Sequence, residues 1–125
     1  MEEALIAHLL AWPAVAAIAG DRLDWGQRNA TLPPARMQVV SSTPFHTFAG
    51  RDGLLPYRVQ IDSFGLTYGD AKLLARAIDE AMQALPRPAF DSCFLLSERD
   101  GQDKDAADQP VHRNSRDYRI LHHTT

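Results

Sequence analysis

Residues 57–85, YRVQIDSFGLTYGDAKLLARAIDEAMQAL, change period partway along, and that change decides the fold. From Tyr57 to Phe64 the side chains alternate: Tyr57, Val59, Ile61 and Ser63 on one side, Arg58, Gln60, Asp62 and Phe64 on the other. The spacing predicts a strand with one buried and one wet face. From Thr67 the period becomes helical. Thr67 caps the first free amides, Asp70 stands at the third helical position, and Leu73, Leu74, Ala77, Ile78, Ala81, Met82 and Leu85 form a broad apolar stripe. Pro86 and Pro88 stop the helix.

The same reading extends outward on both sides. Glu2 to Ala11 predicts an amphipathic helix with Leu5, Ile6, Leu9 and Leu10 inward, its acidic start matching the helix dipole. Pro13 opens a second short helix with Val15 and Ile18 inward, which Gly20 ends. Asp21 to Trp25 makes a brief extended segment, and Gly26, Asn29, Pro33 and Pro34 make the next stretch a loop. Arg36 to Ser42, Phe90 to Ser97 and Asn114 to His122 complete the strands, the last with Tyr118 and Ile120 on one face. Thr43 to Leu55 is a long connection, and an acidic loop rich in breakers joins the final two strands. The expected architecture is α+β: a mainly antiparallel four-stranded sheet with helices packed on one face, in one domain spanning residues 1–125.

Composition bounds the chemistry. The chain has 125 residues, 45% of them hydrophobic, enough for one core. Its 13 Lys and Arg against 16 Asp and Glu give a net charge of −3, which removes the usual attraction to nucleic acid while leaving room for a localised basic face. The apolar stretch Leu5 to Ala19 is broken by Pro13 and is shorter than the roughly 18–20 residues that span a bilayer, and no basic leader follows Met1. Neither a membrane span nor a secretory signal is expected. The lone Cys93, flanked by Phe94, Leu95 and Leu96, excludes an internal disulfide and reads as a buried structural thiol.

Catalytic signatures are missing. His8, His46, His112, His122 and His123 show no spacing that turns two imidazoles toward zinc, and His122 and His123 read as a solvated chain end. No nucleophile elbow or phosphate-cradling glycine loop occurs, so no cofactor or metal is expected. An acid/base enzyme using Asp24, His46 or Asp62 stays open as an alternative. The run Glu98 to Asp108 carries five acids against two bases. It is either a solvated loop or, through Asp100, Asp103, Asp105 and Asp108, a lining that lets a polyanion slide past without sticking.

The ordered phrases of the chain carry a resemblance. They are Met1-Glu-Glu-Ala-Leu5 to Pro13-Ala-Val-Ala-Ala-Ile-Ala-Gly-Asp-Arg22, a proline-containing loop before Met37-Gln-Val-Val40, the strand Tyr57 to Phe64, Thr67-Tyr-Gly-Asp-Ala71 opening a helix, and the strand Arg113 to Ile120. In this order they resemble the DUF3168 family of tail completion proteins from long-tailed phages and prophages. The resemblance implies a structural protein of the virion tail, assembled in the bacterial cytoplasm. It implies a homo-oligomeric ring, commonly a hexamer, at the head-proximal end of the tail tube. Such a ring ends tube polymerisation, docks the tail to the head connector and lets DNA pass without specific binding; gene transfer agents use similar parts. The implied partners are the tail tube protein and the head–tail connector protein, and the family supplies no catalytic residues. In that setting Phe45 and Phe48 become candidates for subunit contact, and a non-ring adaptor that binds a tube or connector side-on as a monomer or dimer stays open as an alternative.

Overall fold

The computed structural model describes residues 2–20, 23–25, 35–41, 54–87, 90–104 and 110–123. Helices α1 (Glu2–Ala11) and α2 (Pro13–Ala19) lead into strands β1 (Leu23–Trp25), β2 (Ala35–Ser41) and β3 (Leu54–Gly65). Helix α3 (Tyr68–Gln83) and strands β4 (Phe90–Lys104) and β5 (Pro110–His123) follow. The four expected strands pair antiparallel, β2 with β3, β3 with β5 and β5 with β4. The short segment at residue 23 adds a fifth, pairing parallel with β2, so the sheet order is β1-β2-β3-β5-β4. The three described helices lie on one side of this sheet, as expected. No described helix is long and apolar enough to cross a membrane.

The core forms between α1, α2, α3 and the residues of β2, β3 and β5 that point toward them. Leu5, Leu9 and Val15 from the first two helices meet Leu74, Ile78 and Met82 of α3 and Met37, Val59, Ile61 and Ile120 of the sheet. Each is essentially withdrawn from water, which contributes about 1.5–3 kcal/mol per large aliphatic side chain. The Nε2 of His8 donates to the carbonyl oxygen of Ala81 at 2.7 Å and ties α1 to the last turns of α3. At the other end of α3 the Thr67 hydroxyl accepts from the Asp70 amide at 3.1 Å, the expected cap. A Cβ at Gly65 would lie 2.6 Å from the Ala71 nitrogen, so glycine is what lets the first turn of α3 press onto the end of β3.

Five expectations change. Leu73 points to solvent, because Leu74 and Ala77 already fill the inward side of α3. Ile18 is exposed as well, and Ala19 takes the buried position beside Val15. The outer side of β3 is not wet throughout: Asp62 and Phe64 are buried there beneath Arg36. Glu98 to Lys104 is strand rather than loop, paired from Glu98↔Arg116 to Lys104↔Pro110. Cross-strand polar pairs hold that ribbon where apolar alternation is missing. Finally, His122 packs against Phe90 at 4.8 Å between ring centres and against Tyr57 at 6.5 Å, so it belongs to the sheet and not to a loose chain end.

Strand β4 has two register shifts against β5, between Phe90 and Ser92 and between Leu95 and Ser97. It is also an outer edge of the sheet, and Phe94, Leu95 and Leu96 are 58%, 44% and 49% exposed on it. Cys93, just before them, is half buried against the core. Burial first, then the Asp79 charge, pushes its thiol up to about 12, so it stays protonated at neutral pH.

Candidate functional site

Two polar surfaces stand out, one on each side of the sheet. The first lies on the helix side, where α3 runs beside the β4–β5 ribbon. Arg116 donates to Glu98 through Nε at 2.8 Å, with Nη2 at 2.6 Å from the same carboxylate. Asn114 donates to Asp100 at 2.8 Å and to Glu98 at 3.2 Å. Lys72 comes from α3 to stand 3.3 Å from Glu98 and 3.7 Å from Asp100, and the Tyr68 hydroxyl donates to Asp100 at 3.4 Å. The Tyr118 hydroxyl donates to Asp79 at 2.9 Å. Burial works to raise the Glu98 carboxyl, but hydrogen bonds from Arg116, Lys72 and Asn114 outweigh it and hold Glu98 below the usual carboxylate range. This network fastens the ribbon to the helix.

The second surface is the side of the sheet that no described helix covers. Directly paired residues share a face, so register fixes its rows across β3, β5 and β4. One row is Arg58, Arg119 and Phe94; the next is Gln60, Asp117 and Ser97; the next Asp62, Ser115 and Arg99. Arg113 follows beside Gly101, where a Cβ would stand only 2.9 Å from its guanidinium. Arg36 of β2 pairs with Asp62 at 2.6 Å, and Gln60 donates to the other Asp62 oxygen at 3.0 Å. Asp117 takes Arg58 at 2.7 Å, the Ser97 hydroxyl at 3.2 Å and Arg99 at 3.6 Å.

The carboxylates of this surface lie underneath and the guanidinium groups on top. Asp62 is 1% and Asp117 3% exposed, whereas Arg58, Arg99 and Arg119 face solvent. Burial tends to raise Asp62, but hydrogen bonds from Ser115 and Gln60 and the Arg36 charge prevail, and its carboxyl sits below the ordinary value. Among the described side chains this face carries five arginines, Arg36, Arg58, Arg99, Arg113 and Arg119, against two aspartates. It is the localised basic face that a net charge of −3 left room for. The signal was present in Arg113, Ser115, Asp117 and Arg119, a wholly polar period-two row, whose alternate residues end in Tyr118 and Ile120.

Among the described residues, those expected to act from sequence do not come together into one site. Phe45, Phe48, Asp105 and Asp108 lie outside the described residues. Asp103 is in β4 opposite Val111, and its side chain lies outside the described set. Asp100 is in the same strand, three residues earlier, held toward Lys72 and Asn114. Of the acid/base alternative, His46 and the Asp24 side chain are outside the described residues, and Asp62 is committed to Arg36, Gln60 and Ser115. Among the described residues no three His, Cys, Asp or Glu side chains are placed to hold a metal. A cleft of about 240 Å³ opens where α3 meets β4, between Met82, Leu85, Phe90, Cys93 and Phe94. Its one thiol is protonated at neutral pH, so it offers apolar contact rather than a nucleophile.

Comparison with known proteins bears on the whole chain. The family model described as Tail completion protein gp17 matches residues 3–123. Among solved structures, a chain from the virion of a native gene transfer agent particle superposes with a TM-score of 0.70. That match covers 98% of this chain and 93% of the other at 16% sequence identity, a shared fold. No curated protein matches.

Proposed function

The chain belongs to the tail completion protein gp17 family and has a structural role in completing a phage or phage-like tail, and from that premise we propose that it works as a ring. The ring sits on the head-proximal end of the tail tube, ends tube growth and presents a docking face to the head connector. A hexamer suits this reading, with DNA passing through the centre and no bond made or broken by the protein. The observation that carries the proposal is the edge strand β4. Phe94, Leu95 and Leu96 are consecutive, large, apolar and about half exposed on a strand that is outermost among those described. An isolated soluble chain normally blunts such an edge, whereas an assembling subunit keeps it for a neighbour.

Within that ring, Phe45 and Phe48 are proposed as further contacts, and Asp100, Asp103, Asp105 and Asp108 as the acidic side of the DNA passage. Carboxylates there would repel phosphate and let the duplex move freely, an effect that salt screens. Electron microscopy of particles lacking the protein tests the reading. Overlong tails or normal tails detached from heads are expected, the first from lost termination and the second from lost docking. Normal, joined tails would refute it. Asp103→Asn with Asp105→Asn should leave folding intact while altering DNA delivery; unchanged delivery removes the acidic passage from the proposal.

A further inference from the structure

We infer that the arginine face of the sheet, which no described helix covers, is one half of a head-to-tail contact, and that its partner is the helix side of a second copy of this chain. The inference rests on the ring reading and supplies its contact surfaces. Its starting point is the row Arg58, Arg119 and Phe94. Arg58 and Arg119 are direct cross-strand partners, both exposed, and like charges in that position oppose the sheet they belong to. Arg58 is relieved by Asp117, but Arg119 has no ion-pair partner among the described residues. Beside it stands Phe94, 58% exposed and paired with Arg119 across β5–β4. An unpaired arginine next to an exposed ring on an ordered sheet makes a surface for an acidic, partly apolar partner. Arginine and aromatic side chains are also the groups that anchor protein interfaces.

The other side of the same molecule has the complementary character. On α3 and the helix-facing side of β4 and β5, Asp70, Asp79, Glu80 and Glu98 stand against Lys72, Arg76 and Arg116; Asp79 and Glu98 are held within that side, while Asp70 and Glu80 are exposed with no ion-pair partner among the described residues. The exposed apolar Leu66, Tyr68 and Leu73 lie among them. One side is therefore basic with an apolar ring, and the opposite side is acidic with apolar side chains. Unlike patches on opposite sides of one subunit produce a heterologous contact, which closes a ring when its rotation closes. Nucleic acid is the less favoured occupant: the whole chain is at −3, and the two buried aspartates already hold part of the guanidinium charge.

The test uses the full chain in sedimentation at low and high salt. The wild type should self-associate, and salt should weaken the association. Arg119→Glu should reduce it at least tenfold while leaving the melting temperature unchanged or raised, since the new carboxylate stands opposite Arg58. Loss of structural support alone would lower the melting temperature. Leu73→Lys with Glu80→Lys, on the opposite side, should also give monomers. Mixing the two variants should restore association, because the unaltered patch of each meets the unaltered patch of the other. A wild type that stays monomeric at every concentration overturns the inference. So does a mixture that remains monomeric, or an Arg119→Glu chain that associates normally. Loss of short-duplex DNA binding in Arg119→Glu with self-association untouched would assign the face to nucleic acid instead. Particles carrying Arg119→Glu separate the two levels: correctly ended, joined tails refute this contact and leave the ring reading standing, whereas normal tails in the complete absence of the protein refute the ring.

Discussion

The two sides of the sheet are made from alternate residues of the same strands, yet different forces hold them. In β3, Val59 and Ile61 enter the core under α3, while Arg58, Gln60 and Asp62 between them build the arginine face. In β5, Tyr118 and Ile120 are covered by helices, while Asp117 and Arg119 are not. The covered side gains from water exclusion and dense packing, so it is expensive to alter anywhere. The uncovered side gains from a few hydrogen-bonded ion pairs whose charges were costly to bury, so its cost is concentrated at the carboxylates and nearly absent at the outermost arginines. A surface that is rigid underneath and cheap to vary on top suits recognition better than it suits stability.

Substitutions can break this contrast, and the largest effect is expected in the core. Ile78→Ala should lower the unfolding free energy by about 2–5 kcal/mol, measured by denaturant melts, because the emptied site lies between helix and sheet and cannot refill. Asp62→Ala comes next at about 2–3 kcal/mol: it strands Arg36, but that side chain keeps 20% exposure and so escapes the full penalty of a wholly buried pair. Asp62 also sets an acid dependence. Its folded carboxyl lies below the unfolded value, so its contribution is complete above that unfolded value and is lost as pH falls through the folded one. Urea midpoints should therefore drop as pH goes below about 4, and the drop should be shallower in Asp62→Asn. Smallest of all, Arg119→Ala should stay within about 0.5 kcal/mol of the wild type, since the side chain is exposed and has no ion-pair partner among the described residues. A loss at Arg119 as large as that at Asp62 would erase the distinction between a buried charged layer and an outer one.

Much of the covered side could be read from the chain, because burial repeats at the period of the element. Residues 57–85 announce β3 and α3, and Leu5 and Leu9 announce α1. The uncovered side was harder to read for a physical reason. A buried carboxylate such as Asp62 looks like any surface acid until the strand beside it supplies Arg36, and that pairing joins residues far apart in the chain. The outer half of β4 was hidden likewise. Glu98, Arg99, Asp100 and Gly101 have the composition of a loop, and only the opposing Arg116 and Asn114 make them a strand. Leu73 and Ile18 show the converse error: an apolar side chain in a helical pattern fits the core only if its neighbours have left space. The assembly role became legible through ordered phrases along the whole chain, and no single residue announced it.

The register shift between Leu95 and Ser97 has one more consequence. Leu96 is the surplus residue there, so the rungs on either side, Tyr118 with Leu95 and Asp117 with Ser97, already follow one another on β5. Removing Leu96 would keep Glu98 toward Lys72 and Arg99 toward Asp117, whereas removing a residue from an unbulged stretch would turn the rest of the strand over. The ribbon thus contains an expansion joint, a place where its length can change by one without altering what its far end displays.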